Sequence, residues 1–308
     1  METVAGVLYT KPQVTLLQQT GIGTSEYAAR SCYDSFEASE NYAISDLDGL
    51  LKTGALQFRN QTLEGTIAGV NDIEHSDLLD QLAWTHFHHS ILEHANLTYL
   101  IKGTSRGVLQ EHARHRIQSI SVRSTRYTLA PVINAFVAEA LTNISNNHPS
   151  DWFINTLLAQ DLFVTADKAY NTLQIVDIFQ KLEYQFHKLG KDEFLHLAVA
   201  KSSIDWTTSP IQHPEMSMAQ SIFEGLQAGK KKRNVADNFK HIINDNFKVD
   251  MVVTFNLRSL KNYIELRANG AAWFQIQWLA EAMVIATPQK YLDLIIKPDK
   301  LNKLLSKT

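Results

Sequence analysis

The sequence from residue 114 to residue 127, RHRIQSISVRSTRY, concentrates side chains that can bind an anion. It contains four arginines, one histidine, three serines, a threonine and a tyrosine. Guanidinium groups and hydroxyls, together with backbone N–H groups, are the donors that bind a phosphate monoester. A cationic helix end in water explains the first three residues as well, because cations stabilise the C-terminus of a helix. Composition alone therefore does not identify the ligand.

The chain as a whole is slightly acidic, which limits the kind of ligand that this basic segment can serve. Its 308 residues carry a formal net charge of −3, and the pI is about 6.5. Proteins that bind nucleic acid usually carry a basic excess, so we expect a small anionic ligand and no nucleic acid. The hydrophobic content of 44% is enough for one large or two ordinary domains.

Cysteine content and the N-terminus indicate the compartment. Cys32 is the only cysteine, which excludes an intrachain disulfide and multi-cysteine metal sites. A lone cysteine is most often a small buried hydrophobe. The first residues lack the basic start and apolar run of a secretory signal, and no stretch reaches the ~20 apolar residues of a membrane span. We therefore expect a soluble cytoplasmic protein that does not bind a membrane.

Residue periodicity predicts both strands and helices. Between residues 95 and 102, Leu97, Tyr99 and Ile101 alternate with more polar residues, which indicates a strand. The small residues at 103–105 should end this strand and cap a helix over 106–116. Further helices are expected at 25–30, 150–200, 215–228, 255–268 and 271–285, with loops at 147–151 and 207–215 and a solvated basic segment at 229–233. This pattern predicts a mixed α/β (α+β) domain with long helices.

Histidines offer a second chemical interpretation, a metal site. Candidate ligands are the pair His112 and His115, about one helical turn apart, and the run His86, His88, His89, Glu93 and His94. The sequence HHSILEH matches neither H-E-x-x-H nor H-x-x-E-H. Histidines at such spacing are more often hydrogen-bonded structural groups, so we expect no metal.

Four ordered sequence blocks resemble the flavin-dependent thymidylate synthase family. Residues 114–124, RHRIQSISVRS, match that family's signature of Arg-His-Arg, seven residues and then Ser. Upstream, HHSILEHANLTYLIKGTSRGVLQEHARHR resembles its order of His-x-Ser/Thr-x-x-Glu-His, strand, small-residue turn and helix. AARSCYDS at 28–35 and NLRSLKNYIELR at 256–267 resemble its N-terminal and C-terminal motifs. Four blocks in the same order are far more specific than any single one.

The resemblance implies a fold, a reaction and an assembly. Members of this family have an α/β fold and methylate dUMP at C5 to give dTMP. The carbon comes from 5,10-methylenetetrahydrofolate, NADPH is the reductant, and FAD carries the hydride. The resemblance also implies a homotetramer and a single catalytic domain over residues 1–308. That domain would include a helical insertion at about 176–232 and a C-terminal tail at 286–308.

The resemblance also implies roles for individual residues. Arg116 and Arg267 are expected to stabilise negative charge on the uracil or the phosphate, and with Ser124 they are the catalytic candidates. Because no base is evident near Ser124, we expect it to bind phosphate or cap a loop rather than act as a nucleophile. The expected flavin-binding residues are His88, Ser90, Glu93, Arg114, His115, Arg116, Asn256, Arg258 and Asn262. The expected nucleotide-binding residues are Glu111, Ser124, Thr125, Arg126 and Arg267.

The chain departs from the family pattern at several positions. Ala271 stands where a flavin-contacting histidine is expected, and the arginine expected at the nucleotide base is replaced by Lys240, or by Asp237 in a shifted register. Cys32 falls where the family often has Ser or Cys near the flavin. Further departures are Trp273, Phe274 and Gln275 in place of Gln-Trp-Glu, Asn244 in place of a proline and Val122 in place of Glu or Gln. These changes leave two alternatives open. One is a paralogue that methylates or hydroxymethylates another pyrimidine nucleotide such as UMP, and the other is a non-catalytic protein that binds flavin and nucleotide.

Overall fold

The computed structural model of the protein describes residues 1–45, 73–142, 148–198 and 235–306. Contacts between residues divide the chain into two compact units. The first unit consists of Met1–Lys11, Ser105–Gly107 and Val122–Val249. The second unit consists of Pro12–Thr104, Val108–Ser121 and Asp250–Thr308.

Strands and helices are numbered in chain order. The strands are β1 (Glu2–Val4), β2 (Val7–Tyr9), β3 (Gln13–Gln19), β4 (Asn96–Ser105), β5 (Ser119–Val122) and β6 (Lys248–Asn256). The α-helices are α1 (Gly23–Ser31), α2 (Tyr42–Ser45), α3 (Asp77–Trp84), α4 (Arg106–His112), α5 (Thr125–Thr142), α6 (Asp151–Ala159), α7 (Lys168–Leu189), α8 (Lys191–Ala198), α9 (Leu257–Arg267), α10 (Phe274–Ala286), α11 (Gln289–Ile295) and α12 (Pro298–Leu305). Short 3₁₀ helices span Phe36–Ala38, His89–His94 and Val235–Ile242.

The first unit has a core of packed helices. Helices α5 to α8 and the 3₁₀ helix Val235–Ile242 bury a common set of apolar side chains. The Phe136 ring lies 5.4 Å from both the Phe179 and the Phe194 rings, centroid to centroid. Tilted aromatic pairs at this separation stabilise a core beyond the area that they bury. The helices are therefore held chiefly by tertiary packing of their apolar faces.

The second unit is organised around a four-stranded sheet in the order β3–β4–β6–β5. Strands β3 and β4 are antiparallel, with Val14 opposite Ile101 and Leu16 opposite Tyr99. Helix α10 packs against β3, and α9 packs against α10 and α11. The buried face of β4 and the apolar faces of these helices share one core. This arrangement places α9 beside the 3₁₀ helix His89–His94, which it contacts directly.

Several predicted elements are confirmed. The alternation around Leu97 forms β4, whose residues Leu97, Tyr99 and Ile101 are fully buried. The helices expected at 25–30, 255–268 and 271–285 are α1, α9 and α10, each within a few residues of the predicted bounds. The predicted mixed α/β fold is thus present, with a mixed set of strands and long helices.

Other predicted boundaries are wrong. Strand β4 continues through 103–105, because Gly103 adopts a φ of +70° and its backbone N–H donates to Asp250 Oδ1 at 3.0 Å. Helix α4 ends at His112 instead of 116, so Arg114, His115 and Arg116 lie in a turn. Residues 119–122 form the edge strand β5, which the hydroxyl-rich composition did not indicate. The helical region expected over 150–200 consists, as far as residue 198, of the three helices α6, α7 and α8.

The domain boundaries stay a prediction. Within the expected insertion, the structure describes the end of α7 and all of α8, and the remainder falls outside the described residues. The loop at 207–215, the helix at 215–228 and the basic segment at 229–233 also lie outside them. The expected tail contains α11 and α12, which bury Tyr291, Leu292 and Leu301. Among the described residues, no helix combines the length and apolar character that a membrane span needs.

Candidate active site

An open cleft of about 960 Å³ lies in the second unit. Its walls come from the turn after α4, from α9 and from the segment around the 3₁₀ helix His89–His94. The structure brings together here these predicted site residues: Glu93, Arg114, His115, Arg116, Arg258, Asn262 and Arg267. Four arginines line the same cleft, so it is suited to an anionic ligand.

Helix α9 positions one wall of the cleft. Its apolar residues Leu260, Tyr263 and Ile264 are buried against the core, which turns Arg258 and Asn262 outward. Side chains at i and i+4 project from the same face of a helix, which explains why these two line the cleft together. The helix begins at Asn256, whose side-chain oxygen accepts a hydrogen bond from the Ser259 backbone N–H at 2.8 Å. The expected flavin-binding residue Asn256 is therefore the N-cap of the helix.

Arg267 joins two other predicted residues at the end of α9. Its Nη1 lies 2.9 Å from Glu111 Oε2, and its Nε donates to His115 Nε2 at 3.0 Å. Only 18% of the Arg267 side chain is exposed, so this ion pair is poorly screened by water. Because a guanidinium can only donate, His115 Nε2 must accept, and the neutral ring carries its proton on Nδ1.

The charge state of His115 follows from its surroundings. Partial burial lowers the pKa of His115, and the neighbouring positive charge of Arg267 lowers it further. The carboxylate of Glu111 acts in the opposite direction. His115 is consequently neutral at physiological pH and can present its Nδ1–H as a hydrogen-bond donor.

A buried aromatic group supports His115 from behind. The Tyr263 ring packs edge-on against His115 at 4.7 Å, centroid to centroid, and its hydroxyl pairs with His112 Nδ1 at 3.1 Å. His112 is fully buried, and burial is the main cause that lowers its pKa to about 4; the charges of His115 and Arg267 lower it as well. Burial likewise raises the pKa of Tyr263, so its hydroxyl stays protonated. Sequence reasoning missed this support and treated His112 only as a possible metal ligand.

A second group of cleft residues was also missed. Lys261 Nζ lies 4.1 Å above the centre of the Trp84 ring and 3.2 Å from His89 Nε2. Burial lowers the pKa of Lys261, and the charge of Lys297 adds to that effect, while Glu265 opposes it. A cation at this distance from an indole face is held by the quadrupole of the ring. The available signal was the helical spacing, which puts Lys261 on α9 between Arg258 and Glu265.

Glu93 and Arg258, which were each expected to bind the flavin, form an ion pair across the cleft. Both side chains are about half exposed, so the pair contributes little to stability. A ligand anion can therefore replace Glu93 as the partner of Arg258 at small cost. In contrast, Arg116 has neither a hydrogen bond nor an ion pair within the part of the chain that the structure describes, and its guanidinium faces the cleft unpaired.

Other predicted residues lie outside the walls of the cleft. Glu111 is not among the lining residues; its carboxylate pairs with Arg267 and also accepts a hydrogen bond from Arg114 at 3.3 Å. His88 and Ser90 are exposed in the segment that precedes and begins the 3₁₀ helix His89–His94. Their roles as flavin contacts stay predictions.

The expected phosphate ligands Ser124, Thr125 and Arg126 belong to the first unit. Ser124 Oγ accepts a hydrogen bond from the Arg126 backbone N–H at 3.3 Å, which agrees with a loop cap at the start of α5. The Arg126 guanidinium contacts both carboxylate oxygens of Asp237 at 3.2 Å, and Lys240 Nζ lies 2.8 Å from the same carboxylate. A hydrogen bond from Lys240, and next one from Arg126, lower the pKa of Asp237.

The residues that depart from the family pattern differ in their exposure. Ala271 is exposed, and its N–H donates to Asn269 Oδ1 at 2.9 Å. Trp273 occupies the N-cap position of α10 without a side-chain capping hydrogen bond, and Gln275 is buried within the helix. Cys32 is exposed, with Sγ 3.3 Å from the Ala28 carbonyl oxygen, so its interpretation as a buried hydrophobe is wrong. Its place after α1 exposes it because the apolar face of that helix ends before it.

Metal binding finds no geometric support among the described residues. Nowhere in that part of the chain do three or more His, Cys, Asp or Glu side chains come together as metal ligands would. His86 and His88 have ring centroids 6.0 Å apart, and His112 is enclosed by Phe255 and Tyr263. The His112 Nδ1 also pairs with the Tyr263 hydroxyl at 3.1 Å.

The fold and the cleft together define a mixed α/β protein with an arginine-lined cleft built on the turn after α4 and on α9. The family model described as "Thymidylate synthase complementing protein" matches residues 15–289. The chain belongs to this family, which confirms the resemblance found from the four sequence blocks.

Similar proteins support the same assignment. The chain is 28% identical over 279 residues to a flavin-dependent thymidylate synthase of Campylobacter jejuni strain RM1221, covering 91% of this chain and 93% of the relative. It is 25% identical over 278 residues to the enzyme of that name from Wolinella succinogenes, covering 90% and 94%. The crystal structure of thymidylate synthase X from Helicobacter pylori with FAD and dUMP has a TM-score of 0.52 and 22% identity, covering 94% of this chain and 99% of that one. This likeness confirms the fold.

Proposed function

We propose that this protein converts dUMP to dTMP by flavin-dependent reductive methylation. FAD is its cofactor, NADPH its reductant and 5,10-methylenetetrahydrofolate its carbon donor. The observation that supports this most directly is the contact of Arg267 with both Glu111 and His115. It joins the Arg-His-Arg motif to the C-terminal motif in one cleft, in a chain whose family membership extends over residues 15–289. Relatives of the same name, and a structure with FAD and dUMP, support the choice of ligands.

The residues of the cleft fit a flavin dinucleotide by their chemistry. Arg114, Arg116 and Arg258 offer guanidinium donors for phosphate oxygens, and Asn262 offers an amide on the same wall. Trp84 and Phe87 offer aromatic surfaces on which a planar ring system can stack. When bound, FAD supplies hydride transfer, which no amino-acid side chain can perform.

The side chains of the chain itself supply placement and electrostatics. Arg267, held by Glu111, presents a fixed positive charge toward negative charge on the nucleotide. His115, neutral and oriented by Arg267 and Tyr263, offers one N–H donor in a defined direction. Arg116 adds a second cation that lacks a competing partner among the described residues. Such preorganised donors stabilise developing charge without reorganisation during the reaction.

The function carries further proposals about the assembly and location. The protein acts as a homotetramer in the cytoplasm, on a small-molecule substrate and without nucleic acid. Exposed apolar side chains around the cleft support an assembled form, because Phe87 is 61% exposed and Ile117 is 71% exposed. Large apolar side chains clustered at a surface commonly mark a contact with another protein chain.

The test is mass spectrometry of dUMP after incubation with the purified protein, FAD, NADPH and methylenetetrahydrofolate under low oxygen. We expect a product one methylene heavier than dUMP. Reactions without NADPH or without the folate are the controls, and neither should yield product. Unchanged dUMP with flavin bound to the protein would reject this substrate, and UMP would then be tested in the same assay.

A further inference from the structure

A second, smaller cavity adjoins the cleft. It has a volume of about 260 Å³ and is formed by the end of α9, the turn after it and the C-terminal helices α11 and α12. Trp84, Glu265 and Lys297 line both this cavity and the cleft. A ligand bound in the cleft can therefore extend past Trp84 into the smaller cavity while staying in contact with the protein.

Three lysines give this cavity a positive charge. Lys297, Lys300 and Lys303 all line it, and Glu265 is the carboxylate that lines it as well. Within the described residues, no carboxylate lies within ion-pair distance of any of the three lysines. Other surface lysines of this chain have such partners, as Lys181 has in Asp177 and Lys248 in Asp161. Within the described parts of the chain, the three lysines thus make no ion pair with a carboxylate, although the net charge of the protein is −3.

The placement of the lysines follows from the way α12 packs. Leu301 and Leu304 are buried against the core of the second unit. Lys300 and Lys303 are one helical turn apart, so they project from the same side of the helix. Like charges at this spacing repel each other, and a bound anion relieves the repulsion. Apart from Asn269, the rest of the lining is chiefly apolar, including Ile264, Ile295 and Ile296, and it can hold the carbon chain that links successive anionic groups.

We propose that this cavity binds the anionic tail of a co-substrate whose ring system occupies the cleft, and that the tail is the γ-linked glutamates of the folate. This inference rests on the proposed function. Ammonium groups act as separate point charges, whereas a phosphate is best held by a planar guanidinium fork. Three separate ammonium groups with an apolar floor therefore match a chain of spaced carboxylates better than a single phosphate. The 2′-phosphate of NADPH is the other anion that the reaction brings, and the test separates the two.

The experiment compares monoglutamyl with pentaglutamyl methylenetetrahydrofolate in steady-state assays of the whole protein. For the parent protein we expect a lower KM for the pentaglutamyl form. In the double variant Lys300→Gln/Lys303→Gln, the ratio of the monoglutamyl KM to the pentaglutamyl KM should fall by about fivefold. The change is modest because each exposed charge pair contributes little. Its KM for the monoglutamyl form and its preference for NADPH over NADH should not change. Added salt should weaken the pentaglutamyl advantage of the parent protein, because exposed ion pairs are screened.

The matched control is Lys168→Gln/Lys191→Gln, which removes the same charge from two exposed helical positions that line neither cavity. It should keep the pentaglutamyl advantage. A parent protein with equal KM values for both folates would overturn the inference while leaving dTMP synthesis established. Loss of the NADPH preference in the double variant, with folate unaffected, would overturn it in favour of the 2′-phosphate. Absence of dTMP with either folate would instead reject the proposed function itself.

Discussion

At the scale of single residues, the Arg267 side chain is held in place by two partners. Its guanidinium uses Nη1 for Glu111 and Nε for His115, so its plane is fixed before a ligand arrives. A side chain held in this way contributes more to binding than a mobile one, because little entropy is lost when the ligand binds. Arg116, by contrast, is exposed, and ligand binding has to order its side chain.

Arg267→Ala should weaken dUMP binding by about 100-fold while FAD remains bound, because the change removes one partner of a poorly solvated charged group. Calorimetry with dUMP and the flavin-to-protein absorbance ratio measure the two effects. Arg267→Lys keeps the charge but not the planar fork, and should give an intermediate loss. The comparison variant is Arg114→Ala, whose side chain is 71% exposed and whose loss leaves the contact of Arg267 with Glu111 in place. It should keep the dUMP affinity and weaken flavin binding, which is the opposite pattern. Unchanged affinity for dUMP in Arg267→Ala would remove the role assigned to it.

His112 makes the stability of the protein depend on pH. Its pKa is about 4 in the folded chain and near 6.5 in the unfolded chain, so the unfolded chain binds more protons between these values. The stabilisation is complete above pH 6.5 and is lost as the pH falls toward 4. From pH 7 to pH 5 the loss should be roughly 2 kcal/mol from this residue, at about 1.4 kcal/mol per pH unit.

Thermal melts at pH 7 and pH 5 measure this dependence. His112→Phe keeps an aromatic ring against Phe255 and Tyr263 but cannot titrate, so its Tm should fall less between the two pH values. Tyr263→Phe removes the hydroxyl partner and leaves the histidine, so it should retain most of the parent's pH dependence. An equal fall in Tm for His112→Phe and the parent would show that His112 is not the source of the pH dependence.

At the scale of elements, the junction between β6 and α9 determines how the cleft is built. Strand β6 is an inner strand of the sheet and ends at Asn256, and α9 begins at the next residue. The Asn256 cap satisfies one of the free N–H groups of the first helical turn, and so holds the orientation from which Arg258 and Asn262 reach the cleft. A residue that the family resemblance assigns to the flavin thus also has a structural role here.

Replacement of Asn256 separates these two roles. Asn256→Ala should lower the free energy of unfolding by about 1 kcal/mol, because the cap is lost, whereas Asn256→Asp can still accept the hydrogen bond from Ser259. Urea denaturation and flavin retention are measured on both variants. If flavin is lost in both while Asn256→Asp keeps the parental stability, the side chain contacts the cofactor directly. If Asn256→Asp retains flavin and Asn256→Ala does not, Asn256 supports flavin binding by capping α9.

At the scale of the whole molecule, the candidate residues are distributed over two compact units. The Arg-His-Arg motif and the C-terminal motif lie in the second unit, whereas Ser124, Thr125 and Arg126 lie in the first. Arg126 there is paired with Asp237, one of the two positions at which the family's arginine was expected. A nucleotide phosphate that binds Arg126 has to compete with this exposed ion pair, which is a weak competitor.

The homotetramer is the prediction that belongs to this scale. Light scattering of the purified protein should give four times the chain mass of 34.8 kDa. Because the assembly covers the exposed apolar residues around the cleft, dilution toward nanomolar concentration should not dissociate the tetramer. A mass of one chain at micromolar concentration would contradict the prediction. Flavin content measured on the same fractions shows whether assembly and cofactor binding are linked.

The sequence by itself determined the family, the main elements of the core and seven of the sixteen residues that line the cleft. Motifs such as Arg-His-Arg are local, and the alternation that buries Tyr99 is a property of consecutive residues. The same local signals misplaced the end of α4 and missed β5, because a strand of four residues at a sheet edge is set by its neighbour β6 rather than by its own composition.

Only the tertiary structure decided which side chains meet. Arg267 and His115 are 152 positions apart in the sequence, and Lys261 is 172 positions from His89. The support of His115 by Tyr263, the exposure of Cys32 and the lysines around the smaller cavity were equally invisible in the residue pattern. Periods of 2 and 3.6 residues indicate which face of an element is buried, but not which element it is buried against. That choice depends on packing of the whole core, in which contacts between distant residues are selected together.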